Sequence, residues 1–166
     1  MALSREEVTV FETVIVPLDG SELSEAALPA AAEIAAKFGS KLIIIRTVES
    51  TANRIAMTPG LLDAPAAASA NVELLAEVTE QEEKDAGTYL AAVQAKLGAN
   101  VEVVVAEGHP ADQIIALAEE RHAGLIVMSS HGRGGLGRLI HGSIADAVIK
   151  HHAIPVLLMR PDLPKT

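Results

Sequence analysis

The sequence contains no cysteine, which excludes disulfides, thiolate catalysis, Cys-ligated zinc and iron–sulfur clusters. Aromatic residues make up 2% of the chain, with no Trp, two Phe and one Tyr. Sugar-stacking sites and single-strand nucleic-acid platforms rely on aromatic faces, so neither is expected. Positive charge is in deficit as well: 13 Lys and Arg stand against 22 Asp and Glu, a formal net charge of −9. A surface of that sign repels a phosphate polymer, which argues against nucleic acid as a main partner. No apolar run reaches the ~20 residues that a membrane-spanning helix needs. The first ten residues, with Arg5, Glu6 and Glu7, lack the basic-then-apolar order of a secretory signal. A cytoplasmic protein with no membrane partner is expected.

What remains is ample apolar material: 49% of the 166 residues are hydrophobic and 21% charged, enough to bury a core. One domain over residues 1–166 is expected, with its core from about 12 to 160. Thr13–Leu18 is a β-branched run ending in a turn at Asp19-Gly20-Ser21, and reads as a first strand buried on both faces. A helix from Leu23 to Phe38 follows, stopped by Gly39, and then a strand from Lys41 to Val48. Residues 50 to 67, with Pro59, Gly60 and Pro65, have no clear period and read as a long mobile loop. A Glu-rich stretch from about Ala68 to Leu97 has helical spacing. Val101–Val105 reads as the third strand, Pro110 opens a helix, and Leu125–Met128 reads as the fourth strand. A helix from Ser143 to about His151 and a fifth strand, Pro155–Met159, complete the order. Such alternation predicts an α/β fold: an open, parallel, five-stranded sheet with helices on both faces, Rossmann-like.

In such a sheet a ligand binds beyond the carboxyl ends of the strands, where the strand order reverses. With the order 3-2-1-4-5, the reversal lies between strands one and four. Pro17-Leu18-Asp19-Gly20-Ser21 would meet there the segment from Ser129 to Arg138. That segment is suited to cradling a phosphate, because glycines let backbone N–H groups approach an anion. Gly142-Ser143 then starts a helix, whose N-terminus favours negative charge, and Arg133 and Arg138 supply cations. The alternative is a glycine-rich surface loop with solvated arginines. Asp19 fits either a ribose or Mg²⁺-linked role or that of a turn carboxylate. His131 is the histidine placed to face a ligand, unless it simply faces solvent. Gly132-Arg133-Gly134-Gly135-Leu136-Gly137 matches G-x-G-x-x-G, but it lies outside the first βα turn and lacks the acidic residue about 20 positions on. The Walker pattern with its lysine is absent, as are HExxH and G-x-S-x-G.

Ile15-Val16-Pro17-Leu18-Asp19-Gly20-Ser21, Gly108-His109-Pro110-Ala111, Leu125-Ile126-Val127-Met128 and Ile154-Pro155-Val156-Leu157-Leu158-Met159 together resemble the universal stress protein family, from about Glu12 to Arg160. Its ATP-binding branch carries G-x2-G-x9-G-[ST]. Here Gly132, nine residues and Gly142-Ser143 match the later positions, while Ser129 replaces the first glycine. The resemblance implies the 3-2-1-4-5 sheet and ATP carried with Mg²⁺. It implies that Pro17, Leu18, Asp19 and Leu42 line the adenosine side, and that Met128, Ser129, His131, Gly132, Arg133, Gly142, Ser143 and Ile144 hold ribose and phosphates. It implies a homodimer through Val156, Leu157, Leu158 and Met159, and a regulatory protein partner of unknown identity. Three functions follow from it: a nucleotide-dependent stress-response module, a slow Mg²⁺-dependent ATPase, or an interaction module without nucleotide.

Overall fold

Runs of Val, Ile and Leu form five strands, because β-branched and aliphatic side chains pack well on a pleated surface covered on both sides. The structure is a computed structural model and describes residues 10–60, 65–98, 100–130, 142–151 and 154–160. Strand β1 (Thr13–Pro17) is followed by α1 (Glu22–Glu25), α2 (Leu28–Phe38) and β2 (Lys41–Val48). Next come α3 (Thr51–Ala56), α4 (Pro65–Leu97) and β3 (Val101–Glu107). The chain continues through α5 (Pro110–Glu120), β4 (Leu125–Ser129), α6 (Ser143–Lys150) and β5 (Val156–Met159). All strand pairs are parallel, in the order β3-β2-β1-β4-β5, so the expected topology holds.

Alternation along the strands divides the core into two layers. Val14, Val16, Leu42, Ile44 and Val127 pack with Leu28 and Ala31 of α2 and with Leu90 and Val93 of α4. Ile15, Ile43, Ile45, Ile126 and Met128 pack on the other face with Ile114 and Leu117 of α5 and with Ala145 and Val148 of α6. Each fully buried aliphatic side chain contributes about 1.5–3 kcal/mol. These two layers hold the strand ends that carry the site.

Two segments differ from the sequence reading. The helix expected from Leu23 to Phe38 is broken into α1 and α2, because Pro29 sits in the first turn of α2 and provides no N–H to continue an earlier helix. Part of the expected loop at 50 to 67 is helical: α3 occupies Thr51–Ala56 and α4 starts at Pro65, while residues 61–64 lie outside the described set. Tertiary contacts explain α3. Ser50 caps it by accepting from the Asn53 N–H, Thr51 Oγ1 donates to Thr79 Oγ1 of α4 at 3.0 Å, and Arg54 pairs with Glu82 at 2.5 Å.

At the amino edge of the sheet, Glu102 of β3 pairs with Lys41 of β2 and with Arg121 at the end of α5, the latter at 3.0 Å. The hydrogen bond from Lys41, helped by Arg121, holds the Glu102 carboxyl below its ordinary value near 4.5 despite partial burial. A carboxyl with a lowered folded-state pKa contributes stability that is present above its unfolded value and lost as pH falls through the folded one. The Tm difference between the parent and Glu102→Gln should therefore be largest above about pH 5 and shrink as pH falls below the ordinary value and through the lowered one. Thermal melts across that range check this, and a pH-independent difference would contradict it.

Candidate functional site

The chain turns back at the carboxyl end of each strand, and the reversal of strand order falls between β1 and β4, paired through Val14 with Leu125 and Ile15 with Ile126. Continuing that register sets Pro17 and Leu18 beside Met128 and Ser129. Leu18 is buried, and its N–H donates to the Ile45 carbonyl of β2 at 2.8 Å. Asp19, Gly20 and Ser21 then turn outward. Gly20 has φ of +82°, a conformation that disfavours side chains.

The carboxylate of Asp19 organises this turn: its Oδ1 accepts from the Ser21 N–H at 2.9 Å and from the Ser21 hydroxyl at 2.6 Å. Ser21 Oγ in turn accepts from the Ser24 N–H, which caps α1, and the Asp19 N–H donates to Ser24 Oγ at 3.3 Å. Asp19 is therefore a turn carboxylate in this geometry. The same position at a strand end leaves it among the groups a ligand at the switch point would meet.

On the β4 side, Met128, Ser129 and Ser130 are all buried. Ser130 donates its N–H to the Met159 carbonyl of β5 and accepts, through its own carbonyl, from the Gly142 N–H at 2.9 Å. That bond brings the chain back to the end of β4, so α6 starts beside the strand end it left. Ser143 is exposed at the first position of α6 and Ile144 is half-buried. Among the described residues no side-chain hydrogen bond caps α6, as is also the case for α2 and α5, whereas α1 and α3 are capped by Ser21 and Ser50. An uncapped helix start presents N–H donors and the positive end of the helix dipole. His131, Gly132 and Arg133 lie outside the described residues.

Through the β1–β4 register and the Ser130–Gly142 bond, the structure sets Pro17, Leu18 and Asp19 at the same end of the sheet as Met128, Ser129, Gly142, Ser143 and Ile144. It does not bring Leu42 to them. Leu42 pairs with Val14 near the start of β2, three register pairs before Pro17 and Ile45, and lies buried in the core. Ser130 falls in the segment singled out from the sequence, but its contribution, a backbone carbonyl that any residue could offer, could not be read there. Sequence reasoning missed Tyr89 of α4, whose hydroxyl donates to Glu25 of α1 at 2.8 Å beneath Arg46 of β2. The signal was there: Tyr89 is the only tyrosine in a chain with almost no aromatics. Burial, then the bond to Glu25, push the Tyr89 phenol well above its ordinary value of 10, with Ser24 and Arg46 acting in the opposite sense. Nearby, at the end of β3, burial and then Glu107 raise the Glu83 carboxyl of α4. Among the described residues no group of three His, Asp or Glu is placed to hold a metal ion, and no helix is long and apolar enough to cross a membrane.

Comparison with known proteins gives a consistent answer. The universal stress protein MJ0531 of Methanocaldococcus jannaschii is 30% identical over 159 residues, covering 96% of this chain and 88% of that one. Among solved structures, hypothetical protein MJ0577 of the same organism superposes with a TM-score of 0.69 at 21% identity, covering 93% of this chain and 99% of that one. A universal stress protein in complex with cAMP superposes at 0.55 with 23% identity, covering 90% and 97%. At such identities the structural likeness concerns the fold. The profile of the universal stress protein family matches residues 11–160, and the chain belongs to that family.

Proposed function

We propose that this stress-response protein binds an adenine nucleotide, ATP with its Mg²⁺, between the β1 turn and the start of α6, and works as a nucleotide-dependent regulatory module. The observation that carries the reading is the Gly142 N–H bond to the Ser130 carbonyl, which sets a glycine-started helix end at the topological switch point of the sheet. The described relative with bound cAMP supports an adenine nucleotide as the ligand class. Adenosine would lie over Pro17, Leu18 and Asp19, with Asp19 meeting the ribose or a water on Mg²⁺. Phosphates would lie at Gly142, Ser143 and Ile144, with Met128 and Ser129 forming the floor and His131, Gly132 and Arg133 completing the cradle from the intervening segment. Mg²⁺ would arrive with the phosphates, whose oxygens supply most of its ligands.

We further propose that the module is a homodimer paired through β5. Val156–Met159 forms one edge of the sheet, and Leu157 is 36% exposed there. An apolar sheet edge is a template for a second copy.

The test is to denature the purified protein, identify any released nucleotide by mass, and titrate stripped protein with Mg·ATP by calorimetry. Released adenine nucleotide or micromolar binding, about −8 kcal/mol, is expected. An absence of both, with no heat up to millimolar ATP, would overturn the nucleotide reading.

A further inference from the structure

Helix α1 has four residues, far below the length at which a helix holds itself together in water. The Asp19 and Ser21 bonds shape its turn from within, but they do not fix its position over the sheet. Two kinds of contact do that. On the inside, Ser24 and Ala27 are buried. On the outside, α1 is joined to α4 across 64 residues of sequence by the Tyr89 hydroxyl donating to Glu25 Oε1 at 2.8 Å. The ring that makes this bond is itself held: the Arg46 guanidinium lies 5.2 Å from its centroid. Arg46 follows Ile45, whose carbonyl accepts from the Leu18 N–H. Tyr89 therefore links α4 to α1, which follows the Asp19 turn, and to β2, which bonds Leu18 just before that turn.

We propose that Tyr89 is a positioning residue of the site: by donating to Glu25 it clamps the Asp19–Ser24 turn against α4 in the geometry that meets a nucleotide. The part of this that concerns affinity rests on the nucleotide reading above. The clamp itself is a property of the protein alone. Helix α4, which supplies the tyrosine, is itself fixed to the sheet through buried Ala86, Leu90 and Val93.

Tyr89→Phe keeps the ring and its contact with Arg46 and removes only the hydroxyl. In nucleotide-free protein it should speed amide exchange at Ser21 and Ser24 about fivefold, the size expected for loss of one net hydrogen bond. Mg·ATP affinity should fall by a similar factor, with a small change in Tm. Glu25→Gln keeps an acceptor oxygen and should preserve exchange and affinity, whereas Glu25→Ala should reproduce Tyr89→Phe. The double variant Tyr89→Phe with Glu25→Ala should be no worse than either alone. A lower Tm in Tyr89→Phe with unchanged exchange at Ser21 and Ser24 would overturn the clamp and leave the tyrosine a packing residue. Faster exchange with unchanged Mg·ATP affinity would overturn its role at the site. If the parent protein takes no ATP, the nucleotide reading fails with it, and exchange at Ser21 and Ser24 still decides whether the clamp exists.

Discussion

Gly142→Val should lower Mg·ATP affinity by about a hundredfold, ~2.7 kcal/mol, while the protein stays folded. Gly142 has φ of −67° and ψ of 155°, an extended conformation that valine adopts readily. Among the described residues, the nearest atom to an added Cβ is the Ser130 carbonyl oxygen at 3.6 Å, an ordinary contact. Neither the backbone angles nor the described neighbours therefore require glycine here. A bound anion would: phosphate oxygens approaching the first N–H groups of α6 would meet the branched methyls. Stability should drop by no more than about 1 kcal/mol, since valine is a poorer helix cap than glycine. Gly142→Ala, with a single methyl, should lose less affinity. Calorimetric titration of the three proteins, beside their thermal melts, tests the expectation. Equal affinities would place the phosphates elsewhere.

Gly124→Ala should destabilise the fold by about 3 kcal/mol and lower Tm by roughly 10 °C, far more than most glycine-to-alanine changes before a strand. Gly124 donates its N–H to the Thr13 carbonyl at 3.0 Å and leads into β4 directly against the chain entering β1. A Cβ built there falls 2.0 Å from the Val10 carbonyl oxygen and 3.0 Å from the Phe11 Cα. Both are backbone atoms, so no side chain can rotate out of the way. The entering segment must move, and it carries Phe11, whose ring packs edge-on against Phe38 at 5.3 Å and against the core layer beneath α2. A loss of this size is a large share of the stability of an ordinary domain. Thermal and denaturant unfolding measure it. An unchanged Tm would mean that the strand entry gives way without cost.

Much of the architecture was legible in the chain. Strands β1, β2 and β4 are buried on both faces, and such strands leave near-continuous apolar runs such as Thr13–Leu18 and Leu125–Met128. The end of α2 was legible because Gly39, at φ +67°, takes the left-handed cap conformation. Helix α3 was not. Its six residues have no amphipathic period long enough to detect, and they are helical because Ser50 caps them and Thr51 and Arg54 bond to α4. The break between α1 and α2 was written in Pro29, but helical spacing on both sides concealed it.

The site divides in the same way. Asp19-Gly20-Ser21 and Gly142-Ser143 stand out by composition, since turns and anion cradles need particular residue types. Leu42 was placed with them by resemblance, whereas the parallel register puts it near the start of β2, inside the core. Tyr89 and Glu25 lie 64 residues apart, and no local pattern could join them.

By itself the sequence determined the strands, the apolar layers between them and the two turns able to carry chemistry, because these depend on side-chain type at short spacing. Tertiary structure alone decided that Ser130 offers its carbonyl to Gly142, that Leu42 lies in the core and that Tyr89 holds α1 in place. Those outcomes depend on strand order, register and backbone groups that every residue shares, and they exist only once distant segments have packed together.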